Sequence, residues 1–215
     1  MRSSIAFCYF LSAIGLFVLL PLAPQLGQAQ GADIINHVPQ AEAYVRQIAD
    51  EVIDILVASD DKSVREARFR DLLREKADLR RIGRFTLGRF ARTISKEDFA
   101  TYQSLLETFI IKVYANRLGA YSNQKITILS SQQKNRNIIV KSRIEFATGR
   151  DPVILDWWLI EDKPATYKLF DVSILGIWMA QEQRATFLSV LNNNQGNFDI
   201  LLNHIRQQVE NHLAE

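Results

Sequence analysis

The stretch Pro152-Val153-Ile154-Leu155-Asp156-Trp157-Trp158-Leu159-Ile160 decides the fold class. β-Branched and aromatic residues at this density favour a strand. With a period of two, Val153, Leu155, Trp157 and Leu159 face one way. Ile154, Asp156, Trp158 and Ile160 face the other. An antiparallel strand with one wet face is polar on that side. This strand is apolar on both sides, so both faces are covered. Helices are one cover and an apolar ligand is another.

The same period runs through the neighbouring segments. Residues 125–130 alternate, with Ile126, Ile128 and Ser130 opposite Thr127 and Leu129. Residues 137–146 place Ile138, Val140, Ile144 and Phe146 against Lys141, Arg143 and Glu145. Residues 166–174 repeat the two-faced pattern more weakly, with Tyr167 and Leu169 against Phe170, Val172 and Ile174. The connections at 132–136, 148–151 and 161–165 are short and rich in turn formers. Four strands so spaced predict an antiparallel meander.

Helical periodicity flanks this block on both sides. Residues 40–58 carry Ala41, Tyr44, Val45, Ile48, Val52, Ile55 and Leu56 at steps of three and four. Asp60, Asp61 and Ser63 mark a turn and a new N-cap, followed by a charged helix to about residue 76. A shorter piece over 78–92 contains Gly83 and Gly88, which break it or allow close packing. Ser95 caps the longest predicted helix, with Glu97 and Asp98 in its first turn favouring the positive end of the dipole. Its stripe runs from Phe99 to Leu118, and Gly119 ends it. Two more helices are expected at 179–192 and 198–213. The class is therefore α+β: one antiparallel sheet of about four strands, covered by N- and C-terminal helices.

Residues 1–29 hold one charge, Arg2, then an apolar run, then Pro21, Pro24 and the small-residue pattern Gly27-Gln28-Ala29. This is the tripartite form of a cleavable signal peptide, with cleavage expected after Ala29. A transmembrane anchor fits the prolines and the cleavage pattern less well. The domain reading is then a leader at 1–29 and a single domain at 30–215. The mature chain carries no cysteine, since Cys8 leaves with the leader, and no second apolar stretch of about 20 residues. It is expected to be soluble and to work outside the cytoplasm, without ATP.

Hydrophobic residues make up 47% of the 215 and charged residues 23%, a globular balance that excludes a disordered chain. Lys and Arg number 26 against 24 acids, so no bulk charge argues for nucleic acid. His204 and His212 are eight residues apart, too far for paired metal ligation on a helix, and His37 stands in a loop. No metal or cofactor is implied. There is no Gly-x-Ser-x-Gly elbow and no phosphate-binding glycine loop. Asp156 and Asp171 sit on strands among apolar neighbours. Such an acid serves as a general base in some enzymes, but pairing with a nearby cation is the plainer reading. No partner group of matched type accompanies them, so catalysis is not expected. Residues 65–92 hold ten Arg or Lys against four acids. Either this is a solvated helix face, or it is a docking patch for an acidic protein or anionic headgroups.

Phe85-Thr86-Leu87-Gly88-Arg89-Phe90, Tyr114-Ala115-Asn116-Arg117-Leu118, Phe170-Asp171-Val172-Ser173-Ile174 and Arg184-Ala185-Thr186-Phe187 together resemble the MlaC family of periplasmic phospholipid shuttles, also called toluene-tolerance proteins. Phe85-Thr86-Leu87-Gly88-Arg89-Phe90 is similar to the family's short glycine-containing helix. Tyr114-Ala115-Asn116-Arg117-Leu118 is similar to the end of its long helix. Phe170-Asp171-Val172-Ser173-Ile174, followed by Gly176, resembles its last strand. Arg184-Ala185-Thr186-Phe187 resembles the start of the next helix. The order and spacing cover about residues 40–205. Two positions depart. Trp178 stands where the family usually has a small polar residue, and Gln183 where it usually has Tyr.

The resemblance implies that the sheet is curved and that an apolar lipid pocket lies between it and its helices. It implies a carrier rather than an enzyme, one that moves phospholipid through the periplasm and helps keep outer-membrane lipid asymmetry. Its implied partners are an inner-membrane ABC transporter complex and an outer-membrane lipoprotein complex, and the carrier itself is taken as a monomer. A hopanoid-like lipid is the alternative cargo, and an Arg-rich adaptor without ligand the alternative function. Two sixteen-carbon tails expose roughly 30 methylenes, so releasing them into water costs on the order of 24 kcal/mol at ~0.8 kcal/mol each. A carrier must therefore offer a dry pocket of about 800 Å³. The expected lining is Leu106, Phe109, Ile110 and Val113 from the helix, Leu155, Trp157, Phe170 and Val172 from the sheet, and Trp178 at the corner. Arg81, Arg84 and Arg89 are the expected partner or headgroup contacts.

Overall fold

A computed structural model describes residues 38–57, 59, 61–115, 125–146 and 151–211. The leader reading, the helix end at Leu118 and Gly119, and both His37 and His212 lie outside the described residues. Among the described residues there are six α-helices and one five-stranded sheet.

Helix α1, Val38–Val57, buries Ala41, Val45, Ile48 and Ala49, the stripe expected from its periodicity. Helix α2, Lys62–Lys76, starts where Asp61 accepts the Ser63 backbone N–H at 2.8 Å. Helix α3, Leu79–Leu87, starts where Asp78 accepts the Arg81 N–H at 2.9 Å. It stops at Gly88, whose φ of 54° and ψ of −125° are open only to glycine. A Cβ there would also lie 3.1 Å from the Arg184 guanidinium. Gly83 serves close packing instead, because a Cβ on it would meet the Gln103 amide at 2.5 Å. A 3-10 turn, Gly88–Arg92, leads on.

Helix α4, Lys96–Ile110, is capped by Ser95 accepting the Asp98 N–H at 2.9 Å. A π-helical turn, Ile111–Ala115, replaces the continuous helix that the sequence predicts. The extra residue per turn swings Lys112 onto Glu66 of α2, 2.5 Å away. Among the described residues the longest uninterrupted α-helix is therefore α1.

Strands β1 (Lys125–Lys134), β2 (Asn137–Glu145), β3 (Val153–Lys163), β4 (Thr166–Ile174) and β5 (Ile177–Trp178) run antiparallel in chain order. The expected meander is there, with a short fifth strand added. β1 and β3 are longer than expected, so two predicted loops shrink to two-residue turns. Asn135 and Ala165 take positive φ to make them. Helices α5 (Met179–Asn193) and α6 (Phe198–Asn211) close the chain.

Both faces of the sheet are covered, as the reading of β3 requires. On one face α1 lies over β1 and β2. There Ala41, Val45 and Ile48 pack with Ile138, Val140, Leu155, Trp157, Leu159 and Tyr167. On the other face Phe170, with Trp158, Ile160 and Leu169 around it, meets a core built by α3, α4, α5 and α6.

Candidate functional site

The sheet separates the residues expected to line one pocket. Leu106, Phe109, Val113 and Phe170 are buried in the helical core, with Ile110 packed against it. Leu155 and Trp157 are buried on the opposite face, under α1, with Val172 packed beside them. Trp178 is half-buried, its ring 5.9 Å from that of Trp158 on the helical side.

A β-bulge is the local cause. Trp158 pairs with Asp171 and Leu159 with Leu169, so Phe170 is an extra residue in β4. Strict alternation puts Phe170 and Val172 on one face. The extra residue sends Phe170 to the helices and Val172 to α1. No residue type marks this position, so the sequence carried no signal for it.

The two layers differ in construction. In the helical layer aromatic rings meet one another at fixed angles. Phe85 lies 5.2 Å from Phe170, Trp158 4.9 Å from Phe170, and Phe187 6.2 Å from Tyr102 and 6.3 Å from Phe109. The buried Tyr102 hydroxyl is 2.6 Å from the Thr86 hydroxyl, which itself reaches the Ile82 and Gly83 carbonyls at 3.0 Å. Burial pushes the Tyr102 phenol well above the ordinary tyrosine range, and the Thr86 contact only partly opposes it. This layer is a specified core.

The layer under α1 has a single helix as its cover. That helix covers a broad apolar face, and its rim is apolar but incompletely buried: Tyr44, Val52, Ile126, Ile128, Ile144, Val153 and Val172. Sequence reasoning had these residues as strand and helix faces but not as one surface. At its floor the Trp157 indole N–H donates to the buried Ser142 hydroxyl at 2.8 Å. The bond gives the buried indole N–H an acceptor within a largely apolar face.

The strand carboxylates both have structural partners. Asp156 faces Lys141 across the strands at 3.6 Å. Asp171 accepts the N–H of Val172 at 2.8 Å and of Ala180 at 2.7 Å. It thus caps α5 from the sheet, since the N-cap residue Trp178 makes no side-chain bond of its own. Burial raises the Asp171 pKa, against the pull of the backbone N–H groups of Ala180, Val172, Gln181 and Met179.

Much of the Arg-rich segment is locally engaged. Arg70 and Arg74 both reach Glu107, and Arg65 donates to the Ser59 carbonyl. Of the three expected contact residues, Arg81 pairs with Asp78 at 3.4 Å and Arg84 lies 5.2 Å over the Phe99 ring. Arg89 donates to Asn192 at 2.6 Å. All three side chains remain exposed. A shallow depression of about 530 Å³ opens between α4 and α6, lined by Ala100, Thr101, Ser104, Leu105, Thr108 and Arg206. It lies outside both layers and touches none of the nine expected lining residues. No helix among the described residues is long and apolar enough to cross a membrane.

Comparison with known proteins agrees with this architecture. The profile of the MlaC family, described as MlaC protein, matches residues 46–207. A relative from Haemophilus influenzae, the intermembrane phospholipid transport system binding protein MlaC, is 27% identical over 184 residues. That alignment covers 79% of this chain and 83% of the relative. The fold is similar to that of a phospholipid-binding protein from Ralstonia solanacearum, solved in complex with a phospholipid, with a TM-score of 0.70. The two are 22% identical over 80% of this chain and 98% of the other.

Proposed function

The chain belongs to the MlaC family, and from that premise we propose that it is a phospholipid carrier whose acyl chains lie between α1 and the sheet. One observation carries the choice of layer. The mostly apolar face under α1 is covered by one helix, whereas the opposite layer is covered by four helices and fixed by several interlocking aromatic rings and a buried hydroxyl pair. Tails entering under α1 exchange one apolar contact for another, so little burial is lost as the helix gives way. Leu155, Trp157 and Val172 then contact the lipid. Leu106, Phe109, Ile110, Val113 and Phe170 hold the helical layer against which the sheet is braced, and Trp178 stands at the corner between them.

The likeness to a phospholipid transport protein and a phospholipid-binding protein supports phospholipid as cargo. The leader at 1–29 is read as cleaved and the site of action as the periplasm. The exposed Arg81, Arg84 and Arg89 are read as contacts for membrane-bound partners, an ABC transporter complex on one side and a lipoprotein complex on the other.

Native mass spectrometry of the chain recovered after export tests this reading. The expected mass is that of residues 30–215 plus about one phospholipid. A hopanoid-like adduct redirects the cargo assignment. A chain that carries no lipid overturns the reading.

A further inference from the structure

We propose that the β4–β5 hairpin tip is a bilayer-docking wedge that dips into the apolar region of a phospholipid membrane. Three of its residues expose large aliphatic side chains: Ile174 is 37% exposed, Leu175 68% and Ile177 56%. Isolated exposed aliphatics need no explanation, but three within four residues form a patch. The turn is also strained. Leu175 holds a φ of 52°, a region where Asn or Gly is the ordinary choice, and Gly176 follows at 87°. A Cβ placed on Gly176 would meet nothing within 4 Å, so the tip projects into open space. An exposed leucine kept in a left-handed turn is disfavoured by both solvation and backbone, and an outside contact explains both costs.

Shape and charge choose the occupant. The tip is convex, which suits a soft surface that parts around it. At this end of the sheet Lys141 pairs with Asp156 and Arg143 with Glu145. The three exposed side chains of the tip are uncharged, which suits the apolar region of a zwitterionic bilayer. Trp178 stands at the base of the hairpin beside Trp158, where an indole meets the headgroup level. Ile174 is the cross-strand partner of Leu155. The wedge is therefore continuous with the layer proposed for the acyl chains, and in this respect it rests on the carrier reading. A tail passing from bilayer to protein along it stays out of water.

The test is co-sedimentation with phosphatidylcholine vesicles, using the exported chain with its mass confirming loss of the leader. The Leu175→Asn and Ile177→Thr variants are compared with the unaltered chain. Asn accepts the left-handed turn and Thr keeps β-branching, so both variants are expected to fold, with Leu175→Asn at least as stable. Each is expected to lower the partition coefficient about tenfold, with binding of the unaltered chain little changed by 0.5 M salt as an order-of-magnitude screening condition. Variants that sediment like the unaltered chain overturn the wedge. So does an unaltered chain that ignores the vesicles, which points to a protein as the occupant, or one released by salt, which points to the Arg-rich helices. Bound lipid is measured on the same samples. Variants that keep lipid but lose vesicle binding support the wedge. A lipid-free chain that still partitions through Leu175 supports the wedge and overturns the carrier reading.

Discussion

The indole N–H of Trp157 on β3 donates to the hydroxyl of Ser142 on β2 at 2.8 Å, with both residues buried under α1. The bond lets a tryptophan and a serine lie on a largely apolar face. A buried N–H without an acceptor costs about 1–3 kcal/mol. Ser142→Ala is therefore expected to lower unfolding stability by about that amount in urea titrations. Adding Trp157→Phe removes the orphaned donor and recovers part of the loss, a coupling a double-mutant cycle reads directly.

The layer assignment makes a sharper forecast. Val172 is half-buried under α1, and Phe187 is buried in the helical core. Val172→Glu places a carboxylate on the proposed acyl surface while leaving the helical core intact. Phosphate analysis of the purified variant should find bound phospholipid reduced several-fold. Phe187→Leu should instead lower stability by about 1–3 kcal/mol with lipid content unchanged. The opposite pattern would place the acyl chains on the helical side of the sheet.

Asp171 gives a pH signature. Its folded-state pKa is raised by burial above the ordinary 3.8, so the folded protein takes up the proton before the unfolded chain does. By linkage its contribution to stability grows as pH falls through the folded pKa and levels off below the unfolded one. Asp171→Asn keeps an acceptor for the Val172 and Ala180 N–H groups but does not titrate. Measured by urea midpoint from about pH 7 to about pH 4, the wild type should gain relative to Asp171→Asn. A flat difference, or one in the other direction, rejects this account. Asp171→Ala removes the cap of α5 altogether and is expected to cost about 1–2 kcal/mol.

Two glycines with positive φ should respond differently to alanine. At Gly176 the added Cβ meets only open space, so the cost is backbone strain of about 1 kcal/mol. At Gly88 the backbone angles are glycine-only, and the Cβ also presses on Arg184 and Leu188 at 3.1 Å. Gly88→Ala is expected to cost about 3 kcal/mol or more, with the difference read from thermal midpoints.

Three of the four segments that suggested the family meet in space. Arg184 donates to the Phe85 carbonyl and lies 4.8 Å over the Phe85 ring. Phe85 in turn lies 5.2 Å from Phe170, and Gly88 lets Arg184 come close. These residues join α3 and α5 to β4, so much of the family resemblance was legible through residues that hold the structure together.

The sequence by itself determined the elements and the need for two covers. Caps at Asp61 and Ser95 and a breaker at Gly88 are local chemistry. So is the double apolar pattern of β3, because it follows from neighbours along the chain. Only the tertiary structure decided which residues share a face. The bulge at Phe170 reverses the parity of β4, the π turn after Ile110 redirects Lys112, and α1 rather than α4 lies over Leu155 and Trp157. Each is settled by packing between segments far apart in sequence, where one residue's slip exchanges the two faces of a strand.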